Sequence, residues 1–536
     1  MDRTDRMEPV DLNAAADAYA TTPLLNCLLR EAAEPLGGEV HRLRGSGRLL
    51  RVRGGRRSAL PELRAADGWH PLGHTELVKL TSEELGRFTG TPNDELPVEI
   101  ADSRDTIAAL LAARLAAEPP ADPYLLSEQS LVMGHPHHPA PKARGGAPAA
   151  SWLPYAPEAH ARFPLVFLGL REDQCVEEGG EAAAGAVDSL ADLLDGPGAP
   201  AGYRLLPAHP WQLDLVAARP AVREAFADGR LLRLGEGRLP AWPTASIRTL
   251  YAPETSASAS ADLFVKFSLD VRITNDVRRL WRHDLLKLRR TDAAVEAGFA
   301  ALRRSGSRAA WLADRGYRTA GFAFEELAVL VRDGLRAHTE PGATPLLAAA
   351  LAEGHPGSPL AGTRDPAAWW RAYLRQVVPP VLELFERHGV VLEAHLQNTL
   401  VAVDAEGMPA QALFRDAEGV KLLPDLPREA AWQRLVYCLV VNHLTEIAAE
   451  LADRHPHAAP GLWPAAREEF LHYAASHGLP EITDLLTAPS LPGKTNLLLR
   501  WTRADGADAR YIPLPNPLRG EWGIGQGGRW GRAPLT

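Results

Sequence analysis

Cationic and hydroxyl-bearing side chains cluster in two neighbouring stretches of the sequence. The stretch 263–278, LFVKFSLDVRITNDVR, alternates apolar and polar residues from Val265 to Thr274, so its polar residues would share one face of a half-buried strand. The preceding stretch 243–251, PTASIRTLY, adds an arginine among hydroxyls. The side chains predicted to line this surface are Ser246, Arg248, Thr249, Lys266, Thr274 and Arg278. Arginine forks and lysine point charges hold polyanions, so the surface predicts a phosphate or carboxylate site; a solvated strand face with cross-strand ion pairs is the alternative.

A second polar group stands at the two ends of a predicted hairpin, whose strands are 399–403 and 411–415. The residues before and after it are Glu393, His395, Gln397, Asn398 and Asp416. A hairpin brings its ends together, so Asn398 and Asp416 could share one hard cation, and Mg²⁺ takes carboxylate or amide oxygens together with phosphate and water. The pair is similar to the metal-binding Asn and Asp of protein kinases. Ordinary turn residues are the alternative.

A third candidate is the segment 134–145, GHPHHPAPKARG, whose prolines exclude a regular helix. We predict a rigid loop that presents His138, Lys142 and Arg144 to an anion. The alternatives are an exposed basic loop and a metal site, although no carboxylate or cysteine accompanies the histidines.

Composition restricts the class of ligand. The formal net charge is −9, from 58 basic and 67 acidic residues, which argues against a nucleic-acid partner and favours a small anion bound in a local cationic pocket. The three cysteines are far apart, which fits ordinary thiols in a reducing compartment. No run of 18 uncharged apolar residues occurs, so we expect a cytoplasmic protein without membrane contact.

The elements that must position these residues follow from periodicity and breakers. We predict a hairpin at 39–53 and short strands at 163–170 and 203–206, with a linker at 139–158 and a mobile insertion at 177–202. Predicted helices span 11–34, 103–117, 278–304, 322–334, 366–388 with a break at Pro379-Pro380, 429–453 and 463–477. The Pro/Gly/Ala-rich segment 340–366 predicts a domain boundary, and His209-Pro210-Trp211-Gln212 forms either a packed corner or a substrate contact.

Several of these segments, in this order, resemble the IucA/IucC-type synthetases, the NRPS-independent siderophore (NIS) synthetases. They are GHPHHPAPKARGG, HPWQ, PTASIRTLY, VKFSLDVRITNDVR, VVLEAHLQNTLV, LFRD and KTNLLLRW, and they span roughly residues 130 to 505. The resemblance implies an α+β fold shaped as an open hand: a mostly helical thumb (1–140), β-rich fingers (141–340) with a central antiparallel sheet, and a kinase-like palm (341–536). Members are often dimeric.

The resemblance also implies a reaction and roles. Family members activate a carboxylate of citrate or a related polycarboxylic acid with ATP and Mg²⁺ as an acyl adenylate, releasing pyrophosphate, and an amine or hydroxylamine then captures the acyl group. By motif, the ATP contacts are Ser246, Arg248, Thr249, Lys266, Thr274, Arg278, Glu393, His395 and Gln397. The substrate-carboxylate contacts are His138, Lys142, Arg144 and Arg278, the metal ligands are Asn398 and Asp416, and the catalytic residues are Lys266, Arg278 and His395.

Some features carry no role from the resemblance. Lys494 and Arg500 match a late family motif without an assigned function, and Asn275 replaces an expected serine. His395 could alternatively act as a base toward the amine. The sequence Pro492-Gly493-Lys494-Thr495 lacks the first glycine of a P-loop, and the glycines from 523 to 528 stand too near the end for a dinucleotide fold.

Other functions stay open. Within the family, a dicarboxylate–hydroxamate ligase or an oligomerising synthetase fits the same motifs. A kinase-like phosphotransferase would use the same metal pair and release ADP instead of AMP. A ferric-siderophore binding or reductase-like protein is the non-ligase alternative, although a reductase of that kind needs clustered cysteines.

Overall fold

The computed structural model describes residues 11–54, 57–254, 261–274, 276–504, 511–520, 522–524 and 530–532. Helices and mainly antiparallel sheets alternate along these ranges, in agreement with the predicted mixture of the two. Asn275, Gly525 and Gly528 lie outside the described residues.

The first part of the chain combines helices with a five-stranded antiparallel sheet in the order β1-β2-β3-β4-β5. Its elements are α1 (Leu12–Glu31), β1 (Ala33–Gly37), β2 (Val40–Leu43), β3 (Leu49–Arg53), β4 (Ala59–Ala65), β5 (Gly68–Pro71), α2 (His74–Thr89), α3 (Glu95–Ala116), α4 (Pro123–Glu128) and α5 (Ala149–Trp152). The predicted hairpin at 39–53 is confirmed as β2 and β3. The helix predicted from residue 103 begins at Glu95, because the Asn93 side chain accepts the first two backbone N–H groups at 2.9 and 3.0 Å.

The middle part builds two sheets in the orders β8-β6-β9 and β10-β11-β12-β17-β16-β7. Its elements are β6 (Val166–Arg171), β7 (Cys175–Glu178), α6 (Gly180–Leu193), β8 (Tyr203–Ala208), α7 (Pro210–Val216), α8 (Pro220–Ala227), β9 (Leu231–Glu236), β10 (Trp242–Pro243), β11 (Thr249–Ala252), β12 (Leu263–Phe267), β13 (Arg272–Ile273), β14 (Asp276–Val277), α9 (Arg282–Arg304), β15 (Ala310–Leu312), β16 (Asp314–Ala320) and β17 (Val329–Asp333).

The last part packs long helices around the sheet β15-β21-β20-β18. Its elements are β18 (Thr344–Leu347), α10 (Ala348–Glu353), α11 (Pro359–Gly362), α12 (Pro366–His388), β19 (Val390–Val391), β20 (Thr399–Val403), β21 (Pro409–Arg415), β22 (Lys421–Leu422), α13 (Arg428–Val436), α14 (Thr445–Arg454), α15 (Ala459–His477), α16 (Glu481–Thr487), β23 (Ser490–Lys494), α17 (Asn496–Trp501), β24 (Tyr511–Pro515), β25 (Trp522–Ile524) and β26 (Trp530–Arg532). The predicted hairpin is confirmed as β20 and β21.

The parts of the chain share sheets and cores. Strand β15 pairs in parallel with β21, across the boundary predicted near residue 340. Leu497 and Trp501 of α17 pack in the hydrophobic cluster of the first part. The three predicted domain ranges stay a prediction.

The continuous strand predicted through Thr274 is wrong. Strand β12 ends at Phe267. Gln212 binds the loop that follows, because its side-chain oxygen accepts the Asp270 N–H at 2.8 Å. The chain then turns back as the short pair β13 and β14, and α9 begins only at Arg282, after an extended segment. The alternative of a solvated polar face is also wrong, because Lys266 is buried.

The same contact decides between the two interpretations of His209-Pro210-Trp211-Gln212. His209 caps α7 by accepting the Trp211 N–H at 3.2 Å, and Trp211 stacks on Tyr155 with ring centroids 6.2 Å apart. Burial lowers the pKa of His209 to about 3. The segment is therefore a packed corner that shapes the loop after β12.

Three further predictions fail where tertiary packing overrides local pattern. Residues 322–334 contain the central strand β17 and no helix, since β12 and β16 cover both of its edges. The insertion at 177–202 contains the helix α6, and α12 runs through Pro379-Pro380 without a break, because its apolar residues are buried on both sides of the prolines.

The helical segment Arg428–Arg454 is one continuous rod whose middle, Tyr437–Leu444, is π-helical. By length and composition it could cross a membrane, but 89% of its apolar window is buried inside the protein. It is thus a core helix of this fold.

Candidate active site

A cavity of about 790 Å³ lies where the three parts of the chain meet. Every residue that the sequence analysis assigned to phosphate, carboxylate or metal binding lines it. Residues near β11, β12 and β14 supply one wall, those around the hairpin β20–β21 supply another, and the loop 134–145 supplies a third. The structure therefore brings the predicted groups together; their roles stay a prediction.

The centre of the cavity is a network of buried charges. Lys266 Nζ donates to Asp416 Oδ1 and to Glu418 Oε2, both at 2.7 Å. Arg248 donates to Glu418 Oε2 at 3.1 Å, and Arg332 donates to Asp416 Oδ1 at 3.2 Å. The cations of the middle part are thus already joined to carboxylates of the last part.

Asp416 has an unusual backbone and a strongly ionised side chain. Its φ of 82° lies in the left-handed region, which a non-glycine residue adopts only when its surroundings enforce it. Burial by itself would raise the pKa of Asp416, but Lys266 and Arg332 hold that pKa well below its usual range. Ile247 and Thr274 also line the cavity with positive φ, at 62° and 60°. Three strained positions at one cavity are typical of a functional site.

Unlike Lys266, Arg248 and Arg332, Arg278 has no ion pair within the described residues. Its guanidinium donates to Thr274 Oγ1 at 2.6 Å, and Thr274 Oγ1 donates to the Ile273 carbonyl. Burial, together with the neighbouring charge of Arg248, lowers the pKa of Arg278 to about 10, so it stays charged at neutral pH. A charged guanidinium that faces a cavity without a carboxylate partner is suited to an incoming anion.

The hydroxyl groups of the 243–251 stretch hold its tight turn. Ser246 Oγ accepts the Thr249 N–H at 3.2 Å and lies 3.2 Å from Thr244 Oγ1. Arg248 Nη1 donates to the carbonyls of Arg278 and Arg279 at 3.0 and 2.8 Å. The turn and the segment after β14 are therefore fixed to each other.

His138, Lys142 and Arg144 of the basic loop are buried, so the alternative of an exposed basic loop is wrong. Lys142 Nζ pairs with Glu158 and donates to the Leu131 carbonyl at 2.6 Å. Arg144 lies 3.4 Å from Glu158 and donates to two carbonyls of its own loop. Burial would raise the pKa of Glu158, but these two cations lower it. Sequence reasoning missed Glu158, which stands 14 residues after Arg144.

The residues before β20 form a rigid rim. His395 Nδ1 accepts the Gln397 N–H at 3.2 Å. Burial lowers the pKa of His395 against the opposing effect of Glu393, so at neutral pH the ring is neutral with its proton on Nε2. Glu393 Oε1 accepts from Arg434 at 2.7 Å. Below this rim, His443 Nδ1 donates to the Ala394 carbonyl at 2.9 Å and Tyr373 donates to His443 Nε2.

The late motif divides in two. Lys494 lines the cavity, and burial lowers its pKa. Arg500 instead pairs with Glu99 of α3. Asn496, the first residue of α17, donates to the His137 carbonyl at 2.7 Å and so joins α17 to the basic loop.

Sequence reasoning missed several partners in the charge network of the cavity. Arg332 was hidden because its segment was assigned to a helix. Glu418 follows Asp416 by two residues and carries no recognisable motif of its own. Arg415 is held by Glu128 of α4 at 2.6 Å, a partner 287 residues away. Such long-range pairs have no local signal.

The donor set around Asn398 and Asp416 fits a hard divalent cation that shares its ligands with phosphate. Asp416 is ionised, and within the described residues no hydrogen bond reaches its second oxygen, Oδ2. Asn398 follows His395 in the rim and its carbonyl accepts the Arg415 N–H. Among the described residues no group of three His, Cys, Asp or Glu could hold a metal. The pair therefore fits Mg²⁺ with remaining ligands from water and phosphate.

Two family models match separate parts of this chain. Residues 123–353 match the model of the IucA/IucC family. Over these residues the chain is similar to the IucA/IucC family. Residues 367–509 match the model of the ferric iron reductase FhuF-like transporter.

Curated relatives cover most of the chain. An L-2,3-diaminopropanoate–citrate ligase from Staphylococcus aureus is 28% identical over 446 residues, 74% of this chain and 75% of the relative. The rhizobactin siderophore biosynthesis protein RhbC from Rhizobium meliloti is 29% identical over 456 residues, also 74% of this chain and 75% of the relative. ATP-bound aerobactin synthetase IucA from Klebsiella pneumoniae shares the fold, with a TM-score of 0.77 and 22% identity over 94% of this chain and 99% of that one.

Proposed function

We propose that this protein is an ATP- and Mg²⁺-dependent siderophore synthetase that joins a carboxylate of citrate, or of a related polycarboxylic acid, to an amine or hydroxylamine. The observation that carries the proposal is the shared cavity in which Arg278, Lys266 and Arg248 face Asn398 and Asp416. The citrate ligases among its relatives support the choice of acid. The amide or hydroxamate would form through an acyl adenylate, with AMP and pyrophosphate as the other products.

The charge arrangement suits adenylation. A carboxylate that attacks a phosphate brings two anions together, so the barrier is mainly electrostatic. Arg278 has no carboxylate partner among the described residues, and we assign it to the reacting carboxylate and the phosphate. Lys266 and Arg248, which pair with Asp416 and Glu418 in this structure, provide the further positive charge.

The remaining roles follow position. Ser246, Thr249, Thr274, Glu393 and Gln397 line the proposed nucleotide cavity. Asn398 and Asp416 would hold Mg²⁺, which when bound neutralises phosphate charge. His395, neutral with its proton on Nε2, donates a hydrogen bond to the nucleotide.

The basic loop has a narrower role in this proposal. Lys142 and Arg144 hold Glu158 and their own loop carbonyls, so they shape the wall at which His138 lies. His138 Nδ1 accepts the Ala140 N–H at 3.2 Å, which fixes its ring. We assign the substrate's remaining carboxylates to this wall.

The decisive experiment follows the nucleotide products. Purified protein with citrate, ATP, Mg²⁺ and hydroxylamine should release pyrophosphate and AMP and form a citryl hydroxamate. Release of ADP and phosphate would contradict adenylation and support a kinase-like phosphotransferase. A screen of amines by pyrophosphate release would then identify the physiological nucleophile.

A ferric-siderophore reductase is the second candidate, because residues 367–509 match the FhuF-like model. Within that range Cys438 is the only cysteine, and burial raises its pKa to about 12, so one protonated thiol cannot ligate an iron–sulfur cluster. Tight binding of a ferric siderophore without ATP turnover would favour this candidate over the ligase.

The wider assignment is part of the same proposal. The open-hand arrangement of thumb, fingers and kinase-like palm, a cytoplasmic location and a homodimer are expected from the family. Light scattering coupled to gel filtration tests the dimer.

A further inference from the structure

The backbone immediately after Asp416 is hydrogen-bonded to a residue that does not line the cavity. The N–H of Ala417, immediately after Asp416, donates to Asp314 Oδ2 at 2.9 Å. Asp314 is the first residue of β16, is 1% exposed, and is absent from the cavity wall. The Asp314 carboxylate, which accepts the N–H after Asp416, therefore lies behind the cavity wall.

Asp314 also holds the arginine that contacts Asp416. Arg332 Nε donates to Asp314 Oδ1 at 2.6 Å, and Arg332 Nη2 donates to Asp314 Oδ2 and to Asp416 Oδ1, both at 3.2 Å. The two residues are cross-strand partners in the pair β16–β17. The Arg332 guanidinium therefore donates both to Asp314, behind the cavity, and to Asp416, which lines it.

The ion-paired charges of this cluster balance only when Asp314 is counted. Lys266, Arg248 and Arg332 carry three positive charges, and Asp416, Glu418 and Asp314 carry three negative ones. Without Asp314 the full charge of Arg332 would fall on Asp416. A carboxylate held by two uncompensated cations is a weaker ligand for a metal ion.

Asp314 is itself fixed from the far side. Its N–H donates to Asp292 Oδ1 at 3.1 Å, and the indole N–H of Trp311 donates to the same oxygen at 2.8 Å. Next to it, a Cβ on Gly316 would lie 2.1 Å from the Glu178 carbonyl, so this bulge accepts only glycine. The position of Asp314 is therefore set by the sheet and α9, independently of any ligand.

We propose that Asp314 is a positioning residue that holds Asp416 in its left-handed conformation and draws Arg332 away from it, so that Asp416 can bind Mg²⁺ with the nucleotide. This inference rests on the proposed function. It concerns a side chain that touches neither the nucleotide nor the substrate.

The test compares Asp314→Asn with Glu84→Gln, since Glu84 is an equally buried carboxylate paired with an arginine, Arg48, in the first part of the chain. For Asp314→Asn we expect the Mg²⁺ concentration that gives half-maximal pyrophosphate release to rise about tenfold or more, with activity partly restored at high Mg²⁺. The KM for citrate should stay within about twofold. Glu84→Gln should lower the melting temperature and leave the Mg²⁺ dependence unchanged.

Two readouts do not depend on turnover. The rise in melting temperature on adding ATP should require Mg²⁺ in the wild type and be reduced in Asp314→Asn at the same concentrations. A crystal structure of Asp314→Asn should show Asp416 out of the left-handed region. If Asp314→Asn does not fold, Asp292→Asn loosens the same carboxylate without removing its charge and should raise the Mg²⁺ requirement by a smaller factor.

The outcomes separate the two claims. Wild-type Mg²⁺ dependence and an unchanged Asp416 in the folded variant would overturn the positioning role. Absence of ATP-dependent pyrophosphate release from the wild type would instead overturn the proposed function.

Discussion

At the scale of single residues, Lys266 and Arg278 of the stretch 263–278 differ in the groups that compensate their charge. Lys266 is 3% exposed and is held by two carboxylates. Arg278 donates to a threonine hydroxyl and has no ion pair among the described residues. The two residues are therefore expected to differ in their contributions to stability, although both face the same cavity.

Lys266→Ala should lose both activity and stability. The substitution leaves Asp416 and Glu418 near each other without their shared cation, and breaking a buried pair costs about 3 kcal/mol, less here because both carboxylates are 26% exposed. Urea denaturation of the variant and the wild type measures the loss.

Arg278→Ala should abolish pyrophosphate release with little change in unfolding free energy, because it breaks no ion pair within the described residues. Near-normal adenylation by this variant would refute the assignment of Arg278. If the Lys266 and Arg278 variants lost equal unfolding free energy, the ion pairs of Lys266 would not contribute more to stability than the hydroxyl contact of Arg278.

Gly419→Ala tests the role of Glu393 without altering that side chain. A Cβ at residue 419 would lie 1.9 Å from Glu393 Oε2 and must push the carboxylate away from Arg434. We expect the KM for ATP to rise about tenfold, the loss typical of one charged hydrogen bond. Gly185→Ala in α6, where a Cβ meets nothing within 4 Å, is the control. An unchanged KM would exclude Glu393 from nucleotide binding.

At the scale of secondary-structure elements, prediction from sequence succeeded where the determining contacts are local. The hairpin β20–β21 has its turn fixed by Asp404, whose carboxylate accepts the N–H groups of Glu406 and Met408 at 3.1 and 2.8 Å. Strand β17 failed because its partners come from distant sequence: Leu263 pairs with Asp333. The residues of the candidate site were found by chemical type, whereas Arg332, Glu418 and Asp314 were missed because only the sheet brings them together.

The contact between α1 and α17 predicts a dependence of stability on pH. Glu31 accepts the N–H groups of Leu497 and Leu498 at 3.0 and 2.8 Å, and burial raises its pKa from 4.5 to about 7. The folded state then keeps a proton that the unfolded state has released, so stability should fall by about 3 kcal/mol between pH 4.5 and pH 7.

Glu31→Gln should remove this fall, because glutamine does not titrate. Burial also raises the pKa of Asp292 to about 7. Asp292 therefore adds the same pH dependence of unfolding free energy to both proteins, and it cancels in their difference. The measurement is the unfolding free energy at several pH values from 4.5 to 8, with the exposed Glu34→Gln as control. Parallel curves for wild type and Glu31→Gln would contradict the raised pKa.

At the scale of the whole molecule, the cavity exists only because distant parts of the chain meet. Lys266 lies in one sheet and Arg248 in the turn before strand β11 of that sheet. Asp416 and Glu418 follow a hairpin of another sheet, and Lys494 comes from β23. In this structure the cations and carboxylates neutralise one another. If phosphate replaced the carboxylates as partner of the cations, and a metal ion replaced the cations as partner of the carboxylates, both sets of charges would stay compensated.

This exchange predicts that ATP and Mg²⁺ stabilise the protein together more than the sum of their separate effects. At 100 times the dissociation constant the pair should add about 2.7 kcal/mol to the unfolding free energy. Calorimetry with ATP alone, Mg²⁺ alone and both together measures the coupling. Asp416→Asn should remove the part that requires Mg²⁺, and strictly additive effects in the wild type would contradict the exchange.

The π-helical segment between α13 and α14 has a consequence for deletions in this helix. Tyr437, Cys438 and Asn442 reach the cavity from the π-helical segment Tyr437–Leu444, which carries more residues per turn than an α-helix. Loss of one residue within it would let the backbone close into an ordinary helix while the apolar flanks stay buried. Such a shortened protein is expected to fold and yet present different side chains at the cavity, so a single deletion there could change which substrates fit.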